Sequence, residues 1–120
     1  MKVIIAGSRT INDMRIVHGA VEDSGWFDEI TEVVSGKEPD GVDMLGEALA
    51  DQFDIPIKPF PADWTKYGRA AGPIRNRQMA NYADALILVW DGKSSGSKSM
   101  LFEAQKRNLK IYQRLVTDGA

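Results

Sequence analysis

The sequence has no cysteine and a single histidine, His18. Disulfides and thiolate metal sites are therefore excluded, and so few soft donors argue against a transition-metal centre. Long apolar runs are also missing. The longest, Ala85–Trp90, has strand length and falls far short of the roughly 20 residues that cross a bilayer. The N-terminal apolar run meets Gly7 almost at once, too soon for a secretory signal, so the expectation is a cytoplasmic protein with no membrane partner. No basic excess exists either: 15 Lys and Arg stand against 17 Asp and Glu, for a formal charge of −2. A broad nucleic-acid surface normally needs a basic domain, so nucleic acid is not the expected partner. Strict dinucleotide-fingerprint and Walker motifs are lacking as well.

What is present fits one domain over residues 1–120. The chain is 43% apolar, enough for one core at this length. Its charge is unevenly laid out. Residues 19–63 hold twelve acids and two bases, whereas residues 66–98 hold six bases (Lys66, Arg69, Arg75, Arg77, Lys93, Lys98) and two acids, Asp84 and Asp91. A locally cationic stretch on a mildly acidic chain suits a small anionic ligand.

Hydrophobic patterning alternates between strand and helix. Residues 2–6 form a β-branched run closed by Gly7. Thr10 with Asp13 resembles a capping box, and Met14, Val17 and Val21 mark the inner face of a helix ending near Gly25. Residues 30–34 read as a second strand. Asp40 is the expected cap of the next helix, whose core face is Leu45, Leu49 and Phe53. Residues 55–60 read as a third strand, placed at a sheet edge because Pro56 and Pro59 each remove a ladder donor. Residues 61–72 read as a long loop. Pro73 suits a first helical position, with Ile74, Met79, Ala80 and Ala83 as the inner face. Residues 84–90 are the strongest strand, followed by a helix to about Asn108, a last strand at 109–113 and a frayed end at 116–120. This alternation predicts an α/β fold: a three-layer sandwich with a five-stranded, mostly parallel sheet in order 3-2-1-4-5 and helices on both faces.

Ligands of such sheets sit beyond the strand carboxyl ends, where strand order reverses. Glycine-containing loops follow three strands: Gly7-Ser8-Arg9, then Ser35 and Gly36 through Gly41, then Gly92 through Ser95, Gly96 and Ser97. Backbone N–H groups at a helix start favour phosphate, serine hydroxyls donate to it, and Arg9 and Lys98 add positive charge. Arg75 and Asn76, read as first-turn residues after a glycine–proline entry, point the same way. An arginine is disfavoured at a positive helix N-terminus unless an anion is shared there, and its fork fits phosphate. Asn76 suits a ribose hydroxyl. Asp43 and Glu47 share one helix face and could hold ribose hydroxyls or act as acid and base. Trp64, Tyr67 and Trp90 could stack on a base, with Trp90 the foremost candidate at the end of the core strand. His18 reads as a surface or packing residue. No protein metal site is expected; magnesium held through a bound phosphate is the remaining cofactor option.

Several segments together resemble the YspA/YpsA-related branch of the SLOG superfamily: the stretch from Lys2 to Arg9, Ser35-Gly36 with Gly41-Val42-Asp43, Pro61-Ala62-Asp63-Trp64, and Gly68 through Asn76. Asp84-Ala85-Leu86-Ile87 and the Gly96-Ser97 loop extend the likeness over residues 2–113. The resemblance implies a Rossmann-like fold, a pocket for nucleotides or NAD-derived molecules such as ADP-ribose, and self-association as a homo-oligomer. The sister LOG phosphoribohydrolases carry an arginine four residues before a methionine, a spacing that Arg75 and Met79 keep. They also carry P-G-G-x-G-T-x-x-E, ending in a catalytic glutamate. Here Met100 holds the glutamate position and Glu103 comes a helical turn late. That departure leaves no assigned catalytic residue and favours a sensor or sequestering protein over a nucleotide N-glycosidase. Single-stranded nucleic-acid binding through the 66–98 cluster ranks third.

Overall fold

The computed structural model describes residues 1–117; the part of the expected frayed end at 118–120 lies outside the described residues. Five strands, β1 (Lys2–Gly7), β2 (Glu32–Ser35), β3 (Ile57–Pro59), β4 (Ala85–Trp90) and β5 (Lys110–Leu115), form one sheet in the order β3-β2-β1-β4-β5. Every pairing is parallel. Helices α1 (Met14–Ser24), α2 (Val42–Gln52), α3 (Trp64–Tyr67), α4 (Ala71–Tyr82) and α5 (Ser95–Lys106) make the connections, with 3-10 turns at Phe27–Glu29 and Gly68–Ala70. This is the Rossmann-like arrangement the sequence predicts. No helix among the described residues is long and apolar enough to cross a membrane.

The core divides by strand parity, as the two-residue period of a strand requires. Val3, Ile5, Val33, Ala85, Ile87 and Val89 pack with Val17, Ala20 and Val21 of α1 and Val42, Leu49 and Ala50 of α2. Ile4, Ala6, Val34, Leu86, Leu88 and Trp90 pack on the opposite face with Met79 and Ala80 of α4 and Met100 and Ala104 of α5. Both faces of β1 and β4 are thus buried. Their uninterrupted apolar runs follow from that, each large buried side chain contributing about 1.5–3 kcal/mol.

Local details differ from the sequence expectations for identifiable reasons. The α1 cap is Asp13 itself, not Thr10: its carboxylate accepts from the Arg15 N–H at 3.0 Å. At α2, Gly41 and not Asp40 holds the cap position, without a side-chain bond. Gly41 lies at φ +80°, and a Cβ there would stand 2.4 Å from the Ser8 carbonyl oxygen, so close approach to the first loop dictates this helix entry. Phe53 falls just beyond α2 and is 39% exposed, stacked edge-on against Phe27 instead of facing the core. The 61–72 segment is not an open loop, for it contains α3, a 3-10 turn and the start of α4. Pro73 is the third residue of α4, still within the turn that lacks internal N–H acceptors. β3 lies at a sheet edge, as its prolines require.

Candidate functional site

The carboxyl ends of β1 and β4 lie side by side, with Gly7 opposite Val89. Strand order reverses at this point. A Cβ on Gly7 would stand 1.7 Å from the Val89 carbonyl oxygen, so only glycine lets the two chains pass. Ser8 then fastens the loops together. Its N–H donates to Val89 O at 3.1 Å, and its hydroxyl accepts the Asp91 N–H at 3.1 Å.

A cavity of about 430 Å³ opens over this junction. Among the expected residues, Gly7, Arg9, Asp43, Arg75, Asn76, Ser95, Gly96 and Ser97 line it. Its floor is apolar, with Ala6, Met79 and Met100. Its rim adds Trp64, Arg69 and Glu38. Three arginines therefore face two carboxylates, which leaves the cavity net cationic.

Arg75 and Asn76 act as a strut between two loops. Arg75 is the fifth residue of α4 and sits in its second turn, not its first. It is 8% exposed, its Nη1 donates to the Gly36 carbonyl and its Nε donates to Asn76 Oδ1 at 3.0 Å. The Asn76 Nδ2 in turn donates to Gly96 O at 3.3 Å and Ser99 Oγ at 3.1 Å. The asparagine expected at a ribose hydroxyl is thus occupied holding the α5 loop. The Nη2 of Arg75 has no protein partner among the described residues, which leaves it for the cavity.

Asp43 stands beside this arginine. A Cβ on Gly36 would lie 2.8 Å from Arg75 Nη1 and 2.9 Å from Asp43 Oδ2, so the glycine makes room for both. Asp43 also accepts the Glu38 N–H at 3.2 Å. Burial pushes its carboxyl up to about 6, outweighing that hydrogen bond and the charge of Arg75, which act in the opposite direction. The mouth of α5 lines the same cavity as Asp43. Ser94 Oγ and Ser97 Oγ are 2.7 Å apart, and the first N–H groups of α5 lack helical acceptors.

Other expected residues lie elsewhere. The Ser35 hydroxyl is buried and donates to Glu47 Oε2 at 2.6 Å, while Lys37 Nζ binds the other oxygen at 2.9 Å. Glu47 is consequently tied up as a structural carboxylate. Gly36 and Gly41 shape the loop behind the cavity wall, and Gly92 turns beside Leu115. Trp90 packs into the α4–α5 core, its indole N–H donating to Gln113 Oε1 at 3.2 Å. Even-numbered parity sends it to that face. Lys98 is exposed and off the cavity. Asp91 accepts the N–H groups of Lys93 and Ser94, which hold its carboxyl below the ordinary range. Glu103 is bound by Arg107 Nη1 at 2.6 Å, with Arg77 Nε at 3.9 Å, on the α4–α5 seam. It cannot replace the carboxylate missing at Met100. No group of three or more metal-ligating side chains forms among the described residues.

Comparison with known proteins agrees with this architecture. The family model described as YspA, cpYpsA-related SLOG matches residues 1–67, more than half of the chain. The chain belongs to this SLOG family. The matched part of the SLOG domain carries β1, the Gly7-Ser8-Arg9 loop, Gly36 and Asp43, whereas Arg75 and the α5 mouth lie beyond it. A Gene 61 protein of Mycobacterium phage D29 is 28% identical over 116 residues, covering 92% of this chain and 93% of that protein. No solved structure matches significantly. SLOG membership points to a nucleotide-related ligand-binding or processing role.

Arg69, Glu38 and Ser94 were not among the residues expected at the site. The sequence signals for Arg69 were its place in the cationic 66–98 stretch and in the aromatic-bearing 61–72 segment, and Ser94 lies within the Gly92–Ser97 loop; Glu38 is brought in by a backbone turn that no motif announces.

Proposed function

We propose that the protein binds a phosphorylated nucleotide or an NAD- or ADP-ribose-derived small molecule in this cavity, as a sensor or sequestering protein. One observation carries the reading: a cavity at the strand-order reversal joins Arg9, Arg69 and Arg75 to the open N-terminus of α5. Phosphate is the anion this combination suits, because arginine forks and helix N–H groups both donate to it. Any magnesium would arrive on the ligand's phosphate oxygens, since the described residues offer no ligand cluster of their own.

A hydrolytic reading has one specific observation in its favour. The Asp43 carboxyl, raised to about 6, lines the same cavity and could hold a proton near neutral pH. Against it, Met100 occupies the position of the glutamate in the sister hydrolases, and Glu103 is locked by arginines. A thermal-unfolding screen against AMP, GMP, ADP-ribose, NAD and short single-stranded DNA, followed by mass spectrometry of each stabilised mixture, tests both. A ligand at 100 times its Kd stabilises by about 2.7 kcal/mol. An intact stabilising nucleotide is the expected result. A cleaved one transfers the protein to the hydrolases, and no stabilisation by any phosphorylated compound overturns the proposal.

A further inference from the structure

We infer that Trp64 is the base-stacking residue of this cavity, so the ligand carries a nucleobase, with its phosphate toward Arg75 and α5 and its base outward against the indole. This rests on the phosphate reading above and deepens it.

Trp64 is 56% exposed, a large apolar surface left in water. Phe53, Tyr67 and Phe102 are exposed as well, Phe102 at 59%, but each has a partner of its own. The ammonium of Lys66 stands 5.0 Å from the Tyr67 ring centre, and that of Lys106 stands 5.4 Å from the Phe102 centre. Phe53 rests edge-on against Phe27 at 4.9 Å. Trp64 alone among these has neither an aromatic nor a cationic partner among the described residues, and it alone lines the cavity.

Its placement along α4 sets the direction. Gly72, Arg75, Asn76 and Met79 recur at helical spacing on the cavity side. The indole edge lies over Gly72, with its Cη2 3.5 Å from where a Cβ would stand. Three residues, a rise of about 4.5 Å, separate that level from Arg75, a distance on the scale of the ribose between a base and its phosphate. Met79 and Met100 close the floor a further turn in. A bare phosphate, equivalent to a few waters of about 30 Å³ each, would leave most of a 430 Å³ cavity unfilled. With the phosphate held at Arg75 and α5, the end lined by Trp64 is left open. Stacking fits that end better than hydrogen-bonded base readout, because every base offers a π-face and the indole presents one in return.

Calorimetric titration of the full chain with AMP and with ribose 5-phosphate tests the inference. The wild type is expected to bind AMP more tightly. Trp64→Ala is expected to weaken AMP by about 5- to 150-fold, the range for one base–aromatic stack. The same variant should leave ribose 5-phosphate unchanged, Trp64→Phe should restore most of the AMP affinity, and Arg75→Ala should weaken both ligands. Equal affinity of the wild type for the two ligands, with Trp64→Ala altering neither, overturns the stacking role and leaves the phosphate reading intact. Loss of both ligands in Trp64→Ala, with unfolding temperature unchanged, also overturns it. Failure of the wild type to bind either compound overturns the stacking role, while the phosphate reading stands or falls with the wider screen of phosphorylated compounds above.

Discussion

Single side chains in this cavity serve two purposes at once, and the expected effects of mutation follow from that. Arg75→Ala removes a charged hydrogen-bond donor from the cavity and also frees the Gly36 carbonyl and Asn76 Oδ1. Ligand affinity is expected to fall by roughly 1.5–3 kcal/mol, measured by titration of AMP, together with a lower unfolding temperature. Asp43 behaves differently. Folding raises its carboxyl from 3.8 to about 6. Between those values the folded chain keeps a proton that the unfolded chain has released, so the contribution of Asp43 to stability falls as pH rises through that window. Asp43→Asn should therefore be more stable than the wild type near neutral pH by roughly 2–3 kcal/mol, with the gap closing toward about pH 4. Urea midpoints at the two ends of the window check both magnitude and sign. Glu103→Gln separates structure from site. Its arginine partners reach solvent, so roughly 1–2 kcal/mol of stability is expected to be lost while AMP affinity stays unchanged.

At the scale of elements, the strands were legible and the irregular connections were not. β1 and β4 are buried on both faces, and their unbroken apolar runs announce that directly. The two prolines of β3 announce its edge position. Helix α4 was the hardest to read, because its inner face includes Arg75 and Asn76, and Ile74, expected to point inward, lies only half-buried to one side. A helix whose concealed stripe is polar gives no amphipathic signal, and the polarity exists because the stripe borders the cavity. Similarly, the end of β4 suggested Trp90 as the stacking aromatic, but strand alternation turns it into the core. Trp64 reaches the rim because residues 64–70 wind into two short helical turns, which nothing in the local pattern required. The β1–β4 junction supplies an element-scale prediction. Gly7→Ala would drive a methyl group into the Val89 carbonyl, and soluble, cooperatively unfolding protein is expected to be lost, as judged by circular dichroism and urea titration.

For the molecule as a whole, only Arg69 and Arg75 of the cationic middle and Glu38 and Asp43 of the acidic first half reach the cavity, which is small. Binding of a short phosphorylated ligand should consequently show a shallow salt dependence, whereas a protein neutralising many phosphates of a strand would lose affinity steeply between about 50 and 200 mM salt. The strut formed by Arg75 and Asn76 has a consequence of another kind. It joins Gly36 to Gly96, two loops sixty residues apart in the chain, through neighbouring side chains of one helix. Their backbone amides should then exchange with deuterated solvent as one cooperative unit. Ligand should slow both sets by the same factor, and Arg75→Ala should quicken the exchange at Lys37 and Glu38 together with that at Ser94 and Ser95.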